Sequence, residues 1–132
     1  MGCNVLVVED DWLIAQDATD TLLAAGYEIV GPCASVVAAF AAIEAHRIDA
    51  AFLDVQLVGE KSFAVAARLS ELDIPFLYVS GHEDHDDPGS LHGHRVLVKP
   101  AEPRVLLAAA ESMTRQRTQG PRAAPPAQMN GA

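Results

Sequence analysis

Five residues of types that handle phosphoryl groups and hard cations each close or follow an apolar run. Asp54 ends Ala50-Ala51-Phe52-Leu53, and a lone carboxylate in a buried strand is costly unless it meets a cation. Glu9 and Asp10 follow Val5-Leu6-Val7-Val8, Ser80 follows Phe76-Leu77-Tyr78-Val79, and Lys99 follows Val96-Leu97-Val98. Gathered in one crevice, Glu9, Asp10 and Asp54 would repel and raise one another's pKa unless a cation screened them. Mg2+ suits a few carboxylates, waters and a phosphoryl group. Lys99 adds a second positive charge and Ser80 a hydroxyl donor. Such a set equips Asp54 to accept a phosphoryl group as an acyl phosphate, with metal and lysine neutralising the equatorial oxygens in transit.

Alternating strands and helices must position these groups. The pattern predicts a strand over 4–8, then a helix from Asp11 with Leu13, Ile14, Ala18, Leu22 and Ala25 along one side and Gly26 as its C-terminal stop. A second strand over 27–31 is interrupted at Gly31-Pro32. Ser35 caps a helix carrying Val36, Val37, Phe40, Ala41 and Ile43 and ending near His46-Arg47. The third strand spans 49–55, 57–61 reads as a loop, and Ser62 caps a third helix reaching about Leu72. After a fourth strand over 75–79, the polar segment 82–94 has room for at most a short helix. A fifth strand, 95–98, precedes Lys99-Pro100. The last helix starts at Pro103, a favoured first-turn residue, and fades near Gln116-Arg117. Residues 118–132, rich in Pro, Ala and Gly, read as a disordered tail, which leaves 1–117 as one domain. This alternation calls for a parallel sheet covered on both faces, with its binding crevice at the C-terminal strand ends. Glu9, Asp10, Asp54, Ser80 and Lys99 all stand there.

Composition narrows the classes. The chain has 132 residues, half of them hydrophobic, and a formal net charge of −9. Scattered Lys and Arg disfavour direct nucleic-acid binding. No apolar run approaches the roughly 18 residues a membrane helix needs, so no membrane insertion is expected. A secretory signal is not apparent, and the cytoplasm is the default compartment. Cys3 and Cys33 lack CxxC spacing and read as reduced, partly buried thiols. The glycine-rich phosphate-binding motifs of nucleotide and dinucleotide folds are missing.

With those residues in order, the chain resembles receiver domains of the two-component response regulator family over residues 4–117. The carrying features are Val5-Leu6-Val7-Val8-Glu9-Asp10-Asp11, Leu53-Asp54-Val55, Ser80-Gly81 and Val98-Lys99-Pro100. The resemblance implies a flavodoxin-like, doubly wound, five-stranded parallel sheet of (βα)5 type, here with a weak or short fourth helix. It implies that Asp54 is the phosphoacceptor, charged by a phosphohistidine on a sensor histidine kinase or histidine phosphotransfer protein. Glu9 and Asp10 match the acidic pair that holds Mg2+ with Asp54, and Gln56 would lend its main-chain carbonyl to the same ion. Ser80 matches the Ser/Thr that turns toward the phosphoryl group, and Lys99 the lysine that pairs with it. The peptide before Pro100 would be cis, aiming Lys99 into the site. The stretch from Pro75 to His82 is also similar to short receivers with a Phe-Ala-Thr-Gly-Tyr-like motif, many of which stand alone without an output domain. The implied role is phosphorelay signalling toward a downstream protein partner. Such a domain supports its own phosphorylation and dephosphorylation without being a turnover enzyme. A homodimer is left open. Three departures bear on the output switch rather than the chemistry. Val96 stands where many receivers carry an aromatic, His82 replaces the subgroup's aromatic, and the segment between Ser80 and Lys99 is short and broken.

Blander readings compete. Asp11 reads as a helix cap, while Glu9 and Asp10 read as site residues because Asp54 and Lys99 accompany them. An Asp54–Lys99 pair could be purely structural, and Ser80-Gly81 an ordinary turn. His82, His85, His92 and His94 sit among Asp, Gly and Pro without ligand spacing and read as solvated loop, with His82 placed to influence access to the phosphoryl group. The alternative function is a receiver-like binding module whose partner interaction does not depend on phosphorylation. A haloacid-dehalogenase-type phosphatase is disfavoured because it wants a second acid where Gln56 stands.

Overall fold

The computed structural model describes residues 2–81 and 95–118. In order, they form β1 (Asn4–Val8), α1 (Trp12–Ala24), β2 (Glu28–Cys33), α2 (Val36–Ala45), β3 (Ala50–Asp54), a hairpin of β4 (Gln56–Leu57) and β5 (Glu60–Lys61), α3 (Phe63–Glu71), β6 (Phe76–Ser80), β7 (Val96–Val98) and α4 (Pro103–Thr118). The main sheet runs β2-β1-β3-β6-β7 with every pairing parallel. This is the flavodoxin-like order, in which strand addition reverses direction between β1 and β3 and opens a crevice at their C-terminal ends.

The period of two along each strand sorts the apolar side chains into two cores. Leu6, Val8, Leu53, Val55 and Tyr78 join the layer under α2 and α3. Val5, Val7, Phe52 and Leu77 join Leu22 of α1 and Leu106 and Met113 of α4 on the other side. Burying each of the larger side chains contributes roughly 1.5–3 kcal/mol. The same alternation puts Glu9 in phase with Val7, Asp54 with Phe52 and Lys99 with Leu97, all toward the α1/α4 side.

Helix ends follow the local chemistry. The Asp11 carboxylate accepts from the Leu13 and Ile14 amides at 3.0 and 3.3 Å, which starts α1, and Ser35 accepts from Ala38 at 3.1 Å, which starts α2. Ser62 occupies the N-cap position of α3, but its side chain makes no cap bond, and among the described residues its buried hydroxyl has no hydrogen-bond partner. Its backbone (φ −92°, ψ 12°) is not the extended shape that aims a cap side chain at the helix amides.

Besides the cap expected at Ser62, two expectations need correction. The second strand does not stop at Gly31-Pro32 but continues to Cys33, because its register slips against β1 between Leu6 and Val8 and a bulge absorbs the extra residue. Gly31 there has φ +101°, and an added Cβ would lie 2.9 Å from the Val7 carbonyl, so the bulge requires glycine. The stretch 57–61 is not an open loop but the far part of the β4–β5 hairpin, turning through Gly59 at φ +73°. The expected weak fourth helix (82–94) and, beyond Thr118, the expected disordered tail lie outside the described residues.

Candidate functional site

Strand register assembles the site. Val8 pairs with Leu53, so Glu9 and Asp54 follow side by side on neighbouring strands about 5 Å apart. The bulge in β2 reaches this point too, since the Glu9 amide donates to the Cys33 carbonyl at 2.9 Å. Three consecutive acids then divide their tasks. Asp11 caps α1, Glu9 accepts from the Asp11 amide at 3.1 Å, and Asp10 is directed to the cluster. Ligand oxygens of Glu9, Asp10 and Asp54 all lie within 4.8 Å of one another.

Lys99 reaches this cluster from two strands away. Asp54 pairs with Val79, and Val79 with Leu97, so the lysine at the end of β7 extends back across β6. Its Nζ lies 3.1 Å from Asp54 Oδ1 and 3.3 Å from Glu9 Oε1. The Lys99-Pro100 peptide is cis, as the resemblance implied. Ser80 is fully buried at the end of β6. Its hydroxyl donates to the Gly81 carbonyl at 2.8 Å, and its own carbonyl accepts the Lys99 amide at 2.8 Å.

The electrostatics are lopsided. Burial, then the hydrogen bond and charge of Glu9, push the Asp54 carboxyl up to about 7, against the opposing pull of Lys99. For Lys99, burial works downward, but Asp54 and Glu9 outweigh it and hold the ammonium above its usual value. Three acids face one lysine, a formal surplus of two negative charges. All the donors are hard oxygens, so the set fits a Mg2+ ion. Just past Asp54, the Gln56 side-chain nitrogen donates to the Leu57 and Glu60 carbonyls at 2.7 and 3.0 Å.

Sequence reading missed two features of the surroundings. A cavity of about 550 Å3 runs from Glu9, Asp54 and Lys99 between α1 and α4, over Phe52, Ile14 and Leu106. Only docking of the two helices creates it. Tyr78, fully buried, stacks edge-on against Phe63 and Phe76 and pairs in register with Val96. The aromatic on this face therefore comes from β6 rather than β7. Its signal was the position two before Ser80, which places both on one face.

The model of the response regulator receiver domain matches residues 5–111. The chain belongs to the response regulator receiver family. As a receiver of two-component signalling, it is a type of module for which Mg2+ and phosphorylation are typical. It is 36% identical to SdrG from Sphingomonas melonis Fr1, covering 85% of this chain and 96% of that one, with a TM-score of 0.74. The response regulator PhyR from Brucella abortus is 20% identical, with a TM-score of 0.77 over 90% of this chain and 50% of that one, a likeness of fold alone. The uncharacterized transcriptional regulatory protein YbdJ of Bacillus subtilis (strain 168) is 30% identical over 118 residues, which are 85% of this chain and 51% of that protein. The receiver thus spans about half the length of that curated relative. Among its described residues, no helix is long and apolar enough to cross a membrane.

Proposed function

We propose that this receiver takes a phosphoryl group from a phosphohistidine onto Asp54, in the cytoplasm, and passes the change of state to a protein partner. The donor would be a sensor histidine kinase or a histidine phosphotransfer protein. The observation that carries the reading is the contact of Lys99 with Asp54 at 3.1 Å inside a cluster of three carboxylates. An ion pair with a merely structural purpose would not need two further acids.

In the proposed step an Asp54 carboxylate oxygen bonds to phosphorus as the P–N bond breaks. The electron pair of that bond goes to the ring nitrogen, and the imidazole leaves neutral because its second nitrogen is protonated. Glu9, Asp10, Asp54 and the Gln56 carbonyl would hold Mg2+, which supplies positive charge to the phosphoryl oxygens when bound. Lys99 pairs with one of those oxygens once formation of the acyl phosphate neutralises the Asp54 carboxylate, and the Ser80 hydroxyl turns from Gly81 to donate to another. Pro100 fixes the chain that delivers the lysine.

The test is incubation of the full chain with a small phosphodonor and Mg2+, with the acyl phosphate trapped and located by mass spectrometry. One modification on Asp54 in wild type and none in Asp54→Ala is expected. An unmodified wild type, under conditions that modify a control receiver, would falsify the proposal. One observation favours a second reading, partner binding that ignores phosphorylation. Val96 is a half-buried core valine where many receivers carry an aromatic. That reading expects Asp54→Ala to bind its partner as wild type does.

A further inference from the structure

The hairpin that follows Asp54 has a register that decides what the Gln56 backbone can do. Gln56 pairs with Lys61 and Leu57 with Glu60, and the Ser62 amide donates to the Val55 carbonyl at 3.0 Å. Antiparallel ladders alternate between pairs that exchange hydrogen bonds and pairs that do not. With Val55 and Ser62 bonded, Gln56 and Lys61 fall on the unbonded pair. The ladder therefore leaves the Gln56 carbonyl unused and directed away from β5. A backbone oxygen serves as a metal ligand only if held within about 0.5 Å of its place. A two-residue strand pair is too short to ensure that by itself.

Other contacts supply the rigidity. Leu57 is buried in the core, and the Gln56 amide clasps the Leu57 and Glu60 carbonyls. The Glu60 carboxylate then leaves the hairpin and accepts the Val36 amide at 3.0 Å, in the first turn of α2. Ser35 serves the Ala38 amide, so Glu60 satisfies a different orphan donor of that helix, at its positive end. The hairpin is tied in this way to an element 24 residues earlier in the chain.

We infer that Glu60 is a positioning residue for the metal: by anchoring to the start of α2 it fixes the β4–β5 hairpin, and through it the Gln56 carbonyl that joins Glu9, Asp10 and Asp54. The inference rests on the metal reading of that cluster. A glutamate that merely capped α2 would support stability and leave metal affinity alone.

The experiment is a Mg2+ titration of the full chain by calorimetry, with the fluorescence of Trp12, the only tryptophan, as a second signal. Glu60→Ala is expected to weaken Mg2+ binding about tenfold, the scale of lost support behind a metal ligand. Glu60→Gln retains an oxygen that can accept the Val36 amide and is expected to recover most of the loss. Val36→Pro removes the donor instead. Proline is well tolerated at a first helical position, and Ser35 before it is already extended at φ −149° and ψ 164°. It should reproduce the Glu60→Ala defect with Glu60 intact, which keeps the inference testable if Glu60→Ala folds poorly. Wild-type Mg2+ affinity in a folded Glu60→Ala or Val36→Pro protein would overturn the inference. Failure of the wild type to bind Mg2+ at all would overturn the metal reading beneath it, a distinguishable result.

Discussion

Asp49 and Asp54 bracket the same strand, and each is only 3% exposed, yet they are different kinds of residue. At the N-terminal edge of the sheet, Asp49 accepts the Asn4 amide at 2.9 Å. It faces Arg47 at 3.2 Å, a charge contact without the alignment of a hydrogen bond. The Asn4 side chain in turn donates to the Arg47 carbonyl at 2.7 Å. One acid there meets one cation and one main-chain donor, and the group clasps β1 to the approach to β3. At the C-terminal edge Asp54 also meets one cation among the described residues, but Glu9 shares it and Asp10 adds a third carboxylate to the cluster. A buried carboxylate alone therefore says little about function. A buried carboxylate whose neighbours leave negative charge uncompensated marks a place for a cation.

That contrast can be broken by experiment. The largest effect should come from Asp54→Ala, which is expected to abolish acyl phosphate formation, whereas Asp49→Ala should leave its yield near wild type. Quantitative mass spectrometry of the phosphorylated chain compares them, and equal losses would erase the distinction. Next comes Lys99→Ala, expected to slow phosphorylation about 100-fold, the scale of losing one preorganised positive donor. Arg47→Ala should leave that rate unchanged. Time courses with a small phosphodonor give both.

Stability should reverse the ranking. Asp49→Ala leaves the Asn4 amide without its acceptor and is expected to cost about 1–3 kcal/mol in urea melts. Asp54→Asn should instead stabilise the metal-free protein at pH 8, by roughly 2–5 °C in Tm. The sign follows from linkage. The folded carboxyl titrates at about 7 rather than near 3.8, so between those values the folded state binds more protons than the unfolded one. Stability contributed by this group falls as pH rises through that window and stays low above it. Metal-free wild type should therefore lose more stability than Asp54→Asn between pH 5 and 8, and added Mg2+ should restore it at pH 8. Parallel slopes in the two proteins would show that Asp54 does not carry that surplus charge in the fold.

Much of this site was legible before folding because strand ends are marked by type. An apolar run that closes on Glu9-Asp10, Asp54 or Lys99 declares both the strand and the end at which the polar group emerges. The caps at Asp11 and Ser35 were legible for the same local reason, an oxygen one residue before a helical pattern. The continuation of β2 through Gly31 and Pro32 was not, since a bulge is stable only when β1 lies beside it with Val7 and Glu9 in register. The silent cap at Ser62 and the reach of Glu60 to Val36 depend on the hairpin's orientation, which no local pattern encodes.

The sequence by itself determined the alternation of strands and helices, the residue types at each strand end and the surplus of acids over lysine among them. Those are local or additive properties, readable from spacing and charge. Tertiary structure alone decided that Lys99 crosses β6 to reach Asp54 and Glu9, that Tyr78 lies in register beside Val96, and that the Gln56 hairpin is tied to α2. Each of these is a contact across tens of residues, fixed by which strands pair and in what register, and the free energy of that pairing belongs to the assembled sheet.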